Sequence, residues 1–250
     1  FERLIFYPRN PELVLVDTSI VARAPRRLLV AGMGDALATW FEARTVIEAR
    51  KANQVHGGTT ITAGALARLC YKTLMADGAT AAGDVEVNAV TPALERIVEA
   101  NTLLSGLGFE SGGLAIAHSV HNGLTTAPAT HAYLHGEKVA FGLLVQLVVE
   151  GRPASELADV VAFSRSVGLP TTLAELSLSA SDEPALQLVA ERTVEPGETA
   201  HNEPFAVTAE AIYDGILAAD RYGSAGMDAG VRTGGGGHHG DGTAIRHHSG

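Results

Sequence analysis

The chain is poor in cysteine, in basic charge and in long hydrophobic runs, and each shortage closes off a class of protein. Its one cysteine, Cys70, cannot close an intramolecular disulfide, and the neighbours Leu66, Leu69 and Leu74 place it on the apolar side of a helix as an inert packed thiol. Lys and Arg number 18 against 28 Asp and Glu, a formal net charge of -10, which is the wrong sign for a phosphate-backbone partner and argues against nucleic acid. No apolar run reaches the roughly 18 residues of a membrane span, so no membrane partner is expected. The N-terminus lacks a basic start and an apolar stretch leading to a small-residue cleavage site, which makes a cytoplasmic location the expectation. Internal repeats are also absent.

What remains is a globular composition, 46% hydrophobic and 18% charged, enough to fill a large core. Leu4–Tyr7 and Leu13–Val16 are short apolar runs separated by Pro8, Asn10 and Pro11, a pattern that predicts two buried strands. From Pro25 onward, apolar residues recur at three and four, predicting helices over 28–50, 62–76, 91–107, 113–121, 136–150, 154–167, 183–192 and 208–222. Thr91 as cap, Pro92 at the first helical position and Glu95 in the first turn mark the clearest start. Three divisions follow: 1–24 with the strands, 25–222 helical, and 223–250 a tail. The tail holds ten glycines and four histidines, His238, His239, His247 and His248, with little to bury. Its composition predicts disorder, and its histidines read either as a weak chelator or as a solvated low-complexity segment.

Four of the six histidines before the tail fall between Ala117 and Gly136: His118, His121, His131 and His135. His118 and His121 share a helix face at a spacing of three, and His135 stands where a new helix begins, able to reach the same cleft from another wall. A site that acts on an alcohol needs three protein ligands and one open position, and imidazole with carboxylate suits zinc or ferrous iron. Asp35 is the best third ligand, set near the start of a helix among Ala36, Leu37 and Ala38, where an uncompensated charge is costly. The residues alone leave alternatives open: Asp35 reads equally as an acid at a helix N-terminus, and an H-x-x-H pair is often structural. His131 reads as a loop residue and His56, beside Gly57 and Gly58, as a turn. Gly106-Leu-Gly108 with Gly112-Gly113 is not a dinucleotide loop, because it follows a helix and has the wrong spacing.

Longer stretches carry a resemblance. Tyr7–Thr18, Gly34–Arg44, Val90–Glu95, Glu99–Leu114, His118–Gly123 and His135–Gly142 resemble the glycerol dehydrogenases of the metal-dependent, iron-containing alcohol dehydrogenase family, and the likeness runs with gaps from about Phe1 to Tyr222. It implies a mainly α fold, the helical-bundle metal- and substrate-binding domain of that family, with residues 1–24 a remnant of the α/β nucleotide-binding domain. It implies Asp35, His118 and His135 as metal ligands, with zinc usual and iron possible, and Phe109 beside nicotinamide and substrate. Gly197–Asn202 is a further family segment. His121 is then either a proton relay or a structural hydrogen-bond partner. The activity implied is NAD-dependent oxidation of glycerol or a similar small polyol to dihydroxyacetone, in a protein that assembles as a homo-oligomer. By the family's plan most of the NAD site lies on the N-terminal domain, so this chain alone is expected to be inactive. Two competitors remain. Relatives of this fold that act on phosphorylated substrates should carry basic residues near the metal motif, and Gly112–Gly136 has no Lys or Arg. The other is a non-catalytic truncated helical remnant that serves as a binding module.

Overall fold

The computed structural model describes residues 9–233, with 226–233 described by backbone alone. Ten α-helices are present among them: α1 (Thr18–Ala22), α2 (Arg26–Ala49), α3 (Ile61–Glu86), α4 (Pro92–Glu99), α5 (Ser105–Gly112), α6 (Ile116–Leu124), α7 (His135–Val149), α8 (Ala154–Val167), α9 (Glu183–Thr193) and α10 (Ala209–Thr233). The fold is the expected helical body. Thr91 caps α4 by accepting from the Leu94 N–H at 3.2 Å, with Pro92 following it, as the sequence indicated. The segment read as one helix over 91–107 is longer and internally varied: α4 passes through a π-helical turn, Ala100–Leu104, into α5. That turn adds a residue to the helical path and rotates the face that follows, which carries Ser105 and Phe109.

Two long helices form the centre. The α7 helix is apolar nearly all round and buried along most of its length, as a helix without a polar face must be. The α2 helix packs on α3, α5 and α7, while α6 and α10 cover α7 from other sides, with α9 behind both. Phe41, Leu37 and Met33 of α2 and Phe141, Leu143 and Leu144 of α7 are fully or almost fully buried where these helices meet. Cys70 is buried in the same core with its thiol 3.6 Å from both the Ala36 and Ala100 carbonyls, and burial, then the Asp35 charge, pushes its pKa up to about 12.

Two expectations need correction. Leu13–Val16 is extended but pairs with nothing, and Leu13, Val14 and Leu15 are exposed at 76%, 61% and 85%; a strand requires a neighbouring ladder, and none exists among the described residues. Leu4–Tyr7 lies outside the described residues. The tail does not begin at Gly223, because α10 continues to Thr233, its intrahelical hydrogen bonds carrying the backbone past the glycines that suggested a break. The tail histidines lie outside the described residues.

The approach of α2 to α7 sets the position of everything that follows. A Cβ on Gly136 would sit 1.8 Å from the Ala31 carbonyl oxygen, and one on Gly34 would sit 2.4 Å from the Gly136 carbonyl oxygen. The two backbones therefore touch one residue away from Asp35 and His135. Gly142 does the same for α6, where a Cβ would stand 2.3 Å from the Ala117 oxygen, next to His118. Gly136→Ala is expected to cost about 3 kcal/mol or more, the range of overpacking against rigid backbone, read as a lower denaturant midpoint. Gly83→Ala, in α3 with open space around it, is expected to be neutral or slightly stabilising; equal midpoints for the two variants would show that the α2–α7 contact is not rigid.

Candidate metal centre

Asp35 lies in the interior of α2, not near its start, so the reading as a helix N-terminal acid loses its basis: no free N–H groups or dipole end stand near it. Its charge is met by imidazoles. Asp35 Oδ1 is 3.2 Å from His118 Nε2 on α6 and 3.0 Å from His135 Nε2 at the first position of α7. One ligand atom from each of Asp35, His118 and His135 can be chosen so that all lie within 4.8 Å of one another. Burial pulls the Asp35 carboxyl upward, but the hydrogen bonds and charges of His118 and His135 outweigh it and hold the group well below the usual carboxylate range.

Each histidine is steered from behind. His118 Nδ1 lies 2.6 Å from Oε2 of Glu42, which is fully buried, and Glu42 Oε1 accepts from the Ala115 and His118 backbone N–H groups at 2.9 and 3.1 Å. Burial acts to lower the His118 pKa, but Glu42 and then Asp35 overcome it and push it up to about 10. His135 Nδ1 is 3.0 Å from His121 Nε2, so His121 backs His135 and is not among the residues that line the cavity. Burial, followed by the charges of His135 and His118, drives the His121 pKa down to about 3 and keeps that ring neutral. Of the other histidines, His131 bonds the Thr125 carbonyl in a turn and His56 occupies a left-handed turn position, φ 62°.

The donor set suits a divalent cation. Two imidazole nitrogens and a carboxylate oxygen are the ligands of a catalytic zinc or ferrous site, and adjacent donors of a tetrahedral zinc stand about 3.3 Å apart, close to the two carboxylate–imidazole separations found here. Their fourth side opens into a cavity of about 290 Å³. Thr39, Gln54, Ser105 and Asn122 offer it neutral polar groups, Phe109 and Leu114 form an apolar wall, and neither Lys nor Arg lines it. The π-helical turn before α5 thus brings Ser105 into hydrogen-bond range of Thr39, 3.1 Å between hydroxyls.

Sequence reasoning missed the supporting carboxylates. Glu42 had a visible signal, since it stands seven residues after Asp35, on the same helix face, within Phe41-Glu42-Ala43. Glu198 had none beyond its place in Gly197–Asn202, because Asn122, which ties it to the histidines, lies 76 residues away. Glu203 was also missed. It is buried at 2% exposure, and no side chain hydrogen-bonds its carboxylate, the Ile116 backbone N–H offering only a weak interaction. Burial first, then the charges of Glu150 and Glu42, raises its pKa to about 8.

Known proteins share this arrangement of helices. No family model matches the chain. It is 56% identical over 223 residues to a glycerol dehydrogenase of Thermotoga maritima and 54% identical to one of Pseudomonas putida, and 48% identical to a glycolaldehyde reductase of Halobacterium salinarum. Each alignment takes in 89% of this chain and 61% of the relative, so the chain spans less than two thirds of the proteins it matches. Among solved structures, a probable glycerol dehydrogenase from Sinorhizobium meliloti superposes with a TM-score of 0.87 at 47% identity, covering 90% of this chain and 63% of that one. Glycerol dehydrogenase from Schizosaccharomyces pombe gives 0.87 at 40% identity over 93% of this chain and 59% of its own. A 1,3-propanediol oxidoreductase, 17% identical with a TM-score of 0.63, shares the fold.

Glu203 supplies a test of the electrostatics. A carboxyl whose folded pKa is raised keeps its proton in the native state after the unfolded chain has lost its own, so stability falls as pH rises from about 4.5 to about 8. Glu203→Gln removes that penalty. Its stability advantage over the wild type is expected to grow from near zero below about pH 5 to a few kcal/mol at about pH 8 in denaturant titrations. A constant difference across that range would show that Glu203 is not a buried acid forced to ionise.

Proposed function

We propose that this chain is the mostly helical, metal-holding part of an NAD-dependent glycerol dehydrogenase, a premise drawn from its 56% identity over 223 residues with the Thermotoga maritima protein, of which it spans 61%. The observation that carries the reading is the convergence of Asp35, His118 and His135 from three helices at one mouth of a cavity. On this reading residues 1–24 close an α/β nucleotide-binding domain that would bring NAD, and the helical domain begins at 25. Zinc is the cation proposed, ferrous iron being compatible with the same donors.

A bound cation supplies Lewis acidity, lowering the pKa of a substrate hydroxyl toward neutrality. NAD supplies the acceptor for the hydride. The remaining work belongs to the chain. Asp35, His118 and His135 hold the cation and leave one side open to the cavity. Thr39, Gln54, Ser105 and Asn122 offer hydrogen bonds to a polyol's other hydroxyls, and Phe109 and Leu114 shield the reacting carbon from water. His121 fixes the ring of His135 from behind. An uncharged small polyol fits a cavity without Lys or Arg, whereas a phosphorylated substrate would find Asp35 and Glu198 there and no cation from the protein's side chains.

The purified chain alone is expected to show no glycerol-dependent reduction of NAD; measurable turnover would contradict the division of labour between domains. A chimera in which this chain replaces the matching part of the Thermotoga maritima enzyme is expected to oxidise glycerol, and its Asp35→Asn version to lose at least about a hundredfold in kcat/KM. A folded, inactive chimera would favour the non-catalytic remnant.

A further inference from the structure

The hydrogen bonds leading away from His135 continue past His121. His121 Nδ1 lies 3.1 Å from Asn122 Oδ1, Asn122 Nδ2 donates to Glu198 Oε2 at 2.9 Å, and Glu198 Oε1 accepts from Arg192 Nη1. Direction in such a row is set by the member that cannot reverse, and a carboxylate only accepts. Asn122 must therefore turn its NH₂ toward Glu198 and its oxygen toward His121. A neutral His121 then donates from Nδ1 and offers its Nε2 lone pair to His135, which must donate from Nδ1.

The consequence falls on the ligand atom. With the remaining proton of a neutral His135 committed to Nδ1, its Nε2, the nitrogen beside Asp35, carries the lone pair. Were the row reversed, Nε2 would hold the proton and point it at the place the cation takes. We propose that Glu198, clamped by Arg192, is a positioning residue that orients this row and so presents His135 Nε2 to the metal. The inference rests on the metal-centre reading above and extends it to a residue in the loop after α9. The two histidine ligands are then backed in parallel, His118 by Glu42 directly and His135 by Glu198 through two intermediates. Glu198 suits the part: its side chain is only 11% exposed, and the Arg192 contact fixes one of its oxygens while the other accepts from Asn122.

The row is read directly by long-range proton–nitrogen NMR of the imidazoles in the intact chain. His121 is expected to carry its proton on Nδ1 both without metal and after zinc addition, and His135 to carry its proton on Nδ1 in the zinc-loaded chain; a proton on His121 Nε2 overturns the proposal. Zinc titration supplies the second arm, counting only the affinity that Asp35→Asn abolishes, so that binding elsewhere on the chain does not enter. Glu198→Gln and Asn122→Leu are each expected to weaken that affinity by about tenfold or more, and the double variant by no more than the worse single one, since one row is broken once. Additive losses, or folded variants within about twofold of the wild type, contradict it. Should Glu198→Gln fail to fold by circular dichroism, Asn122→Leu leaves the Glu198–Arg192 pair in place and gives the same reading. Absence of Asp35-dependent zinc in the wild type would sink the metal centre, while the His121 tautomer in the metal-free chain still decides the row.

Discussion

A carboxylate in the middle of a buried helix is the constraint around which this molecule is arranged. Asp35 sits two turns into α2 with apolar neighbours on either side, too far from the helix start to be stabilised by free amides. It can remain ionised only if positive or proton-donating groups reach it, and His118 and His135 do so at 3.2 and 3.0 Å. Both imidazoles stand within hydrogen-bond distance of the acid. On the proposed reading the same three residues would hold a cation, and the close spacing seen here suits that role.

Holding that spacing requires helices closer than side chains normally permit. The glycines at 34, 136 and 142 let α2, α6 and α7 approach to backbone contact beside the residues that must meet. Large side chains farther along these helices, Phe41 and Phe141 among them, are fully buried in the core. Packing and chemistry are thus one problem here: the core's tight end is the site, and a methyl group at position 136 would disturb both. A second layer of carboxylates, Glu42 and Glu198, completes the proposed arrangement by fixing which ring nitrogen carries the proton.

Helical periodicity made the body of the fold legible. The span 154–167 matches α8, and Thr91 caps α4 as its position predicted, because local apolar spacing and capping chemistry act within a few residues. Leu13–Val16 went wrong for the opposite reason: a strand is a property of a pair, and an apolar run cannot announce whether its partner exists. Glycines at 223, 226 and 230 signalled a tail, yet α10 runs through them. For the site, histidine clustering and the apolar setting of Asp35 picked out three residues that the fold brings together, and the family resemblance implied them as a ligand set. Glu198 and Glu203 were invisible, since their significance arises from burial against residues far away in the chain.

The central claim is that one carboxylate and two imidazoles share a cation. X-ray absorption at the zinc edge, on the chain loaded with one equivalent, tests it most directly. The account predicts one oxygen and two histidine nitrogens from the protein at about 2.0–2.1 Å, with the carboxylate contribution lost in Asp35→Asn. Zinc surrounded by imidazoles alone, with a spectrum that Asp35→Asn leaves unchanged, would contradict it.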